Sequence, residues 1–227
     1  MTSARDLAVM LDDAMDYSAL TEGRVAITPR PVAVRPELTA SLLVFELQAR
    51  RQGRELLVVM DREVPPVLLM DSQRVRQCLG NLIGNALKHS SRGTVTVTVR
   101  HAKARLTINV ADQGKGIAPA LHEKVFEPFY RGSTETPGVG LGLAISRAMA
   151  RQMGGDLVVV PVAQGATFRL TVPAPEAPAV AEPAKPADLR RCLVLVVDDI
   201  ATNRLVASQL LAAAGARAIE ASSGPEA

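Results

Sequence analysis

An α/β fold is what this 227-residue sequence predicts, and three observations carry the expectation. The segment opening at Asp71 and running to His89 sets Val75, Cys78, Leu79, Leu82, Ile83 and Leu87 on one side of a 3.6-residue period, the mark of an amphipathic helix. Residues 94–100, 105–110, 157–162 and 167–172 are short, rich in β-branched side chains and alternate in polarity, as half-buried strands do. Between these elements lie glycine-rich turns, Asp112-Gln-Gly114-Lys-Gly116 and Gly138-Val-Gly140-Leu-Gly142. Their glycines permit backbone bends that other residues resist.

From the N-terminus, residues 4–20 put Leu7, Met10, Leu11, Met15 and Leu20 at helical spacing, and Gly23 ends that helix. A short strand is expected over 24–28. Residues 36–50 form a helix with a stripe at Leu38, Leu42, Leu43, Phe45 and Leu47, and 55–60 a strand. Asp71 or Ser72 caps the next helix. His101 to Lys103 form the turn between strands 94–100 and 105–110. Residues 140–153 are helical up to Gly154-Gly155, and 157–162 with 167–172 make a hairpin. Residues 173–189, PAPEAPAVAEPAKPADL, form a Pro/Ala tether, since repeated proline opposes helix and sheet. LVLVVDD at 193–199 begins a second fold; its continuous apolar run suits a strand covered on both faces. A helix over 201–214 and a strand over 217–220 come next.

Composition narrows the function. Hydrophobic residues make up 48% of the chain, enough to fill a core, while aromatics are only 3% and tryptophan is absent, so aliphatic side chains do the packing. The formal charge of +3 is small and its bases are interleaved with acids, which leaves no nucleic-acid footprint. No run is long and apolar enough to span a membrane, and no signal-peptide pattern opens the chain. Cys78 and Cys192 fit no metal spacing and are expected to be buried, reduced thiols.

Asn81, Asn85 and Lys88 share one face of the 71–89 helix. An asparagine carbonyl offers Mg²⁺ an oxygen without added charge, and a lysine neutralises phosphate. Asp112, beside two glycines, is an acceptor matched to the exocyclic amine of adenine. Gly138, Gly140 and Gly142 precede a helix whose first amides attract phosphate. Each feature alone also fits a surface amide pair or an ordinary loop. In this order they form a nucleotide pocket.

The ordered trio Asn81-Leu-Ile-Gly-Asn85-Ala-Leu-Lys88, Asp112-Gln-Gly114-Lys-Gly116 and Gly138-Val-Gly140-Leu-Gly142-Leu resembles the ATP-binding catalytic domain of bacterial sensor histidine kinases, a branch of the Bergerat-fold ATPases. The resemblance covers roughly residues 35–173. It implies a two-layer α/β sandwich with one mixed sheet and helices on one face. It implies ATP and Mg²⁺ as cofactors, with Asn85 and Lys88 catalytic and Asn85 on the metal. Asn81, Asn85, Lys88, His89, Asp112, Gly114, Gly116, Arg131, Gly138, Gly140, Gly142, Leu143 and Thr167 would line the nucleotide.

Phe126-Glu-Pro-Phe-Tyr-Arg131 is similar to the family's F box, its rings packing the base of a lid at 132–137 and Arg131 reaching phosphate. Gly165-Ala-Thr-Phe168 is similar to its last motif. Hydrolytic members of the fold carry a glutamate four residues before the metal-binding asparagine; Asn81 stands there, and an amide is no general base. Phosphoryl transfer to a protein side chain is therefore expected rather than hydrolysis.

The resemblance extends to the flanks. DYSALTEGR within 1–24 is similar to the end of a dimerisation and phosphoacceptor hairpin helix. The catalytic domain spans 25–173, a linker 174–190, and 191–227 resembles the first part of a receiver domain whose Asp198 and Asp199 would hold Mg²⁺. A βαβ start of this kind lacks the acceptor aspartate. His122-Glu123 mimics an acceptor motif but its proline lies one residue too far, and His101 is read as a turn residue. The acceptor histidine and acceptor aspartate are thus expected outside the chain, upstream of Met1 and beyond Ala227. The implied partners are the acceptor helix of the same family, as a homodimer in the whole protein, and a receiver domain or response regulator, in the cytoplasm, with any membrane anchor upstream. The rival readings are a Bergerat-type ATP hydrolase and a non-catalytic nucleotide-binding regulatory module.

Overall fold

The computed structural model describes residues 15, 17–20, 25–90, 93–131, 140–178, 189 and 192–224. The chain divides into two compact units, Met1–Val180 and Ala181–Ala227. The first is a two-layer α/β sandwich. Its elements are β1 (Arg30–Ala33), α1 (Val34–Arg51), β2 (Glu55–Met60), β3 (Val67–Met70), α2 (Ser72–His89), β4 (Thr94–Ala102), β5 (Arg105–Ala111), α3 (Gly142–Gln152), β6 (Asp156–Val160) and β7 (Thr167–Pro173). Short 3-10 turns at Pro119–Leu121 and Lys124–Phe126 lie between β5 and α3.

Five strands form one mixed sheet in the order β2-β4-β5-β7-β6, with β2 parallel to β4 and the other neighbours antiparallel. Alternation sorts its faces. Val95, Val97 and Val99 of β4, Leu106, Ile108 and Val110 of β5, and Leu170 and Val172 of β7 point inward and are buried. They meet Leu79, Leu82, Ile83 and Leu87 of α2, Ile145 and Met149 of α3, and Leu38 and Leu42 of α1 in one core. The opposite face carries Thr96, Thr98, Thr107 and Asn109, polar residues that tolerate water.

β1 and β3 form a separate antiparallel ladder that registers Arg30 with Met70. Residues 25–28 of the strand expected at 24–28 are not in a strand for that reason, and Arg24 lies outside the described residues. Continuing the register would pair those residues with the chain after Met70, which is already helical from Ser72. Thr28 N–H instead donates to Asp71 Oδ2 at 2.9 Å. Asp71 is the cap of α2, its Oδ1 accepting from Arg74 N–H at 3.1 Å. β3 has no counterpart among the expected strands, because four residues between prolines and a helix cap give no period to read.

The β4–β5 connection is tighter than expected. His101 and Ala102 remain in the ladder opposite Leu106 and Arg105, so His101 is a strand residue, with its Nε2 2.9 Å from the Ala174 carbonyl oxygen. The two-residue turn is Lys103-Ala104, both left-handed at φ 51° and 55°. The tether begins later than its composition suggests. Ala174 is fully buried, Leu69 N–H donates to the Pro175 carbonyl and Ala177 N–H to the Val67 carbonyl. Residues 174–177 thus add a third partner beside β3, and residues 179–188 of the tether lie outside the described residues. Of the N-terminal helix, 17–20 are helical, with Leu20 buried in the core; most of the rest lies outside the described residues.

The second unit holds β8 (Leu193–Val197), α4 (Ala201–Ala213) and β9 (Arg217–Ala221), with β8 and β9 parallel. The expectation of two covered faces is corrected here. Leu193, Leu195 and Val197 on one face of β8 are 61, 47 and 46% exposed, because a single helix covers only one side of two strands. Cys192 is likewise exposed rather than buried, whereas Cys78 is buried in the first core. Among the described residues no helix is long and apolar enough to cross a membrane.

Candidate nucleotide site

Asp112 closes β5 and is buried, with 8% of its surface exposed. Its Oδ1 accepts from Gly114 N–H at 2.7 Å and from Ala166 N–H at 3.3 Å, while its own N–H donates to the Ala166 carbonyl at 2.9 Å. Both side-chain bonds fall on Oδ1; among the described residues no donor reaches Oδ2. A buried carboxylate held by two backbone amides is fixed in direction, with one oxygen left to accept from a ligand. The Gly114–Ala118 and Val162–Gly165 loops next to it enclose a groove of about 410 Å³.

Gly114 has a steric reason. A Cβ there would sit 2.7 Å from the His89 carbonyl oxygen, so only glycine lets the turn after Asp112 close against the end of α2. This contact carries His89 beside Asp112. The Asp112 charge raises the His89 pKa, but burial and the Lys88 charge outweigh it and hold the imidazole below its ordinary value. Lys88 is also lowered, by burial first and then by the Arg131 guanidinium. Lys88 and Arg131 therefore lie close enough to repel, a concentration of positive charge suited to an anion.

Asn81 and Asn85 project one turn apart from the same face of α2, and their environments differ. Asn81 Nδ2 donates to the Gly142 carbonyl at 3.2 Å and to Ser146 Oγ at 3.0 Å, joining α2 to the first turns of α3. Among the described residues nothing hydrogen-bonds the Asn85 amide, whose carbonyl oxygen suits a hard cation beside phosphate. Gly140, at φ +80°, packs so tightly that a Cβ would meet the Tyr130 carbonyl oxygen at 2.7 Å. Its own carbonyl accepts from Phe129 N–H at 3.0 Å.

Leu143, in the first turn of α3, is half-buried against the core. Gly116, left-handed at φ +76°, faces the Gly165 carbonyl, and Thr167 opens β7 opposite Ala111. Gly138 and the expected lid at 132–137 lie outside the described residues. Phe126 is buried, edge-on to Phe168 at 6.2 Å, and Phe129 is 65% exposed; the lid whose base they are expected to pack lies outside the described residues. Phe129 has a left-handed φ of 64°.

Three participants escape sequence reasoning. Ser146, wholly buried on an apolar face, gives no signal. The Gly165–Phe168 motif is legible, but not the bond its Ala166 N–H makes to Asp112 from 54 residues away. Arg147 looks like one more surface base. The acidic pair of the second unit belongs to a different compact unit: Asp198 accepts from Ile200 N–H at 2.7 Å and from the Asn203 amide at 3.1 Å, so its carboxylate already anchors the start of α4.

Residues 70–176 match the family described as histidine kinase-, DNA gyrase B-, and HSP90-like ATPase. The virulence sensor protein BvgS of Bordetella bronchiseptica is 35% identical over 243 residues, covering 98% of this chain. The aerobic respiration control sensor protein ArcB of Escherichia coli is 33% identical over 219 residues, covering 92%. The chain spans only 20% and 28% of those two proteins. Among solved structures, full-length ShkA in complex with AMPPNP superposes with a TM-score of 0.70 at 29% identity, over 96% of this chain and 46% of that one. The ThkA histidine kinase catalytic domain gives 0.58 at 25% identity, over 64% and 95%. Sequence family, relatives and superposition agree: the chain carries the ATP-binding catalytic domain of the histidine kinase-, DNA gyrase B-, and HSP90-like ATPase family, in the form found in hybrid sensor histidine kinases.

Proposed function

We propose that this chain binds Mg-ATP and presents its γ-phosphoryl group to an acceptor histidine other than its own three, for relay to a receiver aspartate. The observation that carries the reading is Asp112, buried and amide-held beside the groove, with no donor on Oδ2 among the described residues. It accepts from the adenine amine, where guanine would present a carbonyl. The base then points the phosphates along α2 toward Lys88 and Arg131. Gly114, Gly116, Leu143 and Thr167 line the base and sugar, His89 borders them, and the Gly138–Gly142 turn offers amides to phosphate.

Magnesium, when bound, neutralises phosphate charge; the chain's contribution is the Asn85 carbonyl oxygen. Lys88 adds a point charge on the phosphate, and positioning of this kind is most of what phosphoryl transfer needs from a protein. The bonds Asn81 makes to α3 favour transfer over hydrolysis: the amide there ties two helices together and has no basic atom for water. His101 in a strand and His122, with Nε2 3.1 Å from the Ile117 carbonyl oxygen, sit on no helix that could present a ring to a second active site.

The second unit is proposed as the start of a receiver, with Asp198 and Asp199 at the end of its first strand. A response regulator and a second copy of the whole kinase are the proposed partners. The test is incubation of the chain with radiolabelled ATP and a histidine-bearing hairpin from a related kinase. Label on the hairpin supports transfer, free phosphate supports a hydrolase, and neither supports a regulatory module.

A further inference from the structure

Arg147 is heavily engaged for a charged side chain near the nucleotide site, and the partners of its side chain are Glu123, Asp156 and Phe126. It lies on the buried side of α3, with 12% of its side chain exposed. Its Nη1 donates to Glu123 Oε2 at 2.6 Å and its Nε to Asp156 Oδ1 at 3.1 Å. The guanidinium carbon sits over the Phe126 ring, 4.5 Å from its centre, a cation–π contact. Glu123 and Phe126 belong to one turn, closed by Phe126 N–H donating to the Glu123 carbonyl at 3.1 Å. Arg147 therefore grips both ends of that turn while Phe168 closes the ring from the other edge.

The stretch after the turn is short and tightly tied. Glu127 N–H donates to the Lys124 carbonyl and Tyr130 N–H to the Glu127 carbonyl. Lys124 Nζ stands 5.4 Å from the centre of the Tyr130 ring. Phe129 N–H then returns to the Gly140 carbonyl, two residues before α3 begins. Arg131 thus issues from a closed circuit: α3 to Arg147, to Phe126, along the chain to Phe129, and back to α3 through Gly140. We infer that Arg147 is a positioning residue that sets Arg131 against the nucleotide phosphates by clamping the Glu123–Phe126 turn to α3. This rests on the proposed ATP binding, in which Arg131 meets phosphate. The Asp112 pocket is outside the circuit, so base recognition is independent of it.

The test compares ATP with adenosine, which shares the base and lacks phosphate, by calorimetry on the 227-residue chain with Mg²⁺. The variants are Arg131→Gln, Arg147→Met and the double variant. The expected result is roughly tenfold weaker ATP binding in Arg147→Met, the scale of one desolvated cation–π contact, with adenosine affinity unchanged. The double variant should bind ATP no more weakly than Arg131→Gln alone, because the two residues act through one contact. Equal losses for ATP and adenosine, or additive losses in the double variant, would overturn the proposal. Phe126→Leu, which keeps apolar volume but removes the ring, must reproduce the ATP-specific loss; if it leaves ATP binding intact, the clamp is not the route. Absence of any ATP binding by the unaltered chain would instead sink the ATP reading itself, and an unchanged ATP affinity in Arg131→Gln would sink the phosphate role of Arg131.

Discussion

Asp112 bears the sharpest residue-level expectation. A hydrogen bond to a charged group contributes about 1.5–3 kcal/mol, which corresponds to roughly ten- to 150-fold in affinity. Asp112→Ala should weaken ATP binding by at least about tenfold and narrow the preference over GTP, as calorimetry would report; unchanged affinity removes Asp112 from the pocket. Asn85 and Asn81 separate cleanly. Asn85→Ala should abolish phosphotransfer while leaving the fold intact, since its amide holds nothing else among the described residues. Asn81→Glu places an acceptor against the Gly142 carbonyl and Ser146, so the expected outcome is a loss of about 1–3 kcal/mol in urea denaturation, before any question of hydrolysis arises.

His89 supplies a spectroscopic check at the same scale. Its imidazole is held below the usual histidine value by burial and Lys88, and the Asp112 charge opposes both. A depressed folded value means the native chain binds fewer protons than the unfolded one as pH falls through about 6.5, so His89 contributes stability above that pH and loses it below. In an NMR titration Asp112→Ala should move the His89 midpoint further down. An upward shift would separate the two residues.

The β4–β5 hairpin carries the clearest prediction about an element. Its two-residue turn needs a left-handed backbone at both positions, a conformation that glycine and asparagine accept and alanine resists. Ala104→Gly should therefore stabilise the domain by about 0.5–1 kcal/mol and raise the melting temperature without changing nucleotide affinity. A fall in stability would mean that the strain is relieved elsewhere. The same hairpin shows what local pattern can and cannot convey. Alternation along 94–100 and 105–110 is plain, yet polarity places the turn at His101 to Lys103. The ladder runs two residues further than polarity marks, because Ala102 and Arg105 pair through backbone alone. β1 and β3 elude a reading by pattern for a related reason: their positions follow from pairing, and pairing is not written in either strand.

Across the whole molecule, ligand linkage should distinguish the two units. ATP at about 100 times its dissociation constant stabilises the unit that binds it by about 2.7 kcal/mol. The melting transition of Met1–Val180 should rise with ATP concentration while that of Ala181–Ala227 stays in place, and Asp198→Ala should leave the shift unaltered. Incubated with ATP alone, the chain should acquire no acid-labile phosphate if, as proposed, the acceptor is none of its three histidines. Labelling would direct attention to His89 at the end of α2.

Much of this protein is settled by the order of its residues. The amphipathic period of α2, the strands of the central sheet and the spacing of Asn85, Lys88, Asp112 and the glycines all follow from local chemistry, because helix and strand periodicities and glycine's missing Cβ act within a few residues. The tertiary structure decided the rest. It bonded Asn81 to α3, closed Gly114 onto His89, brought Ala166 to Asp112 across 54 residues, stacked Arg147 on Phe126 and left one face of β8 bare. Nearly all of these are contacts between segments distant in sequence, and their energy depends on separations that only the packed sheet and helices establish.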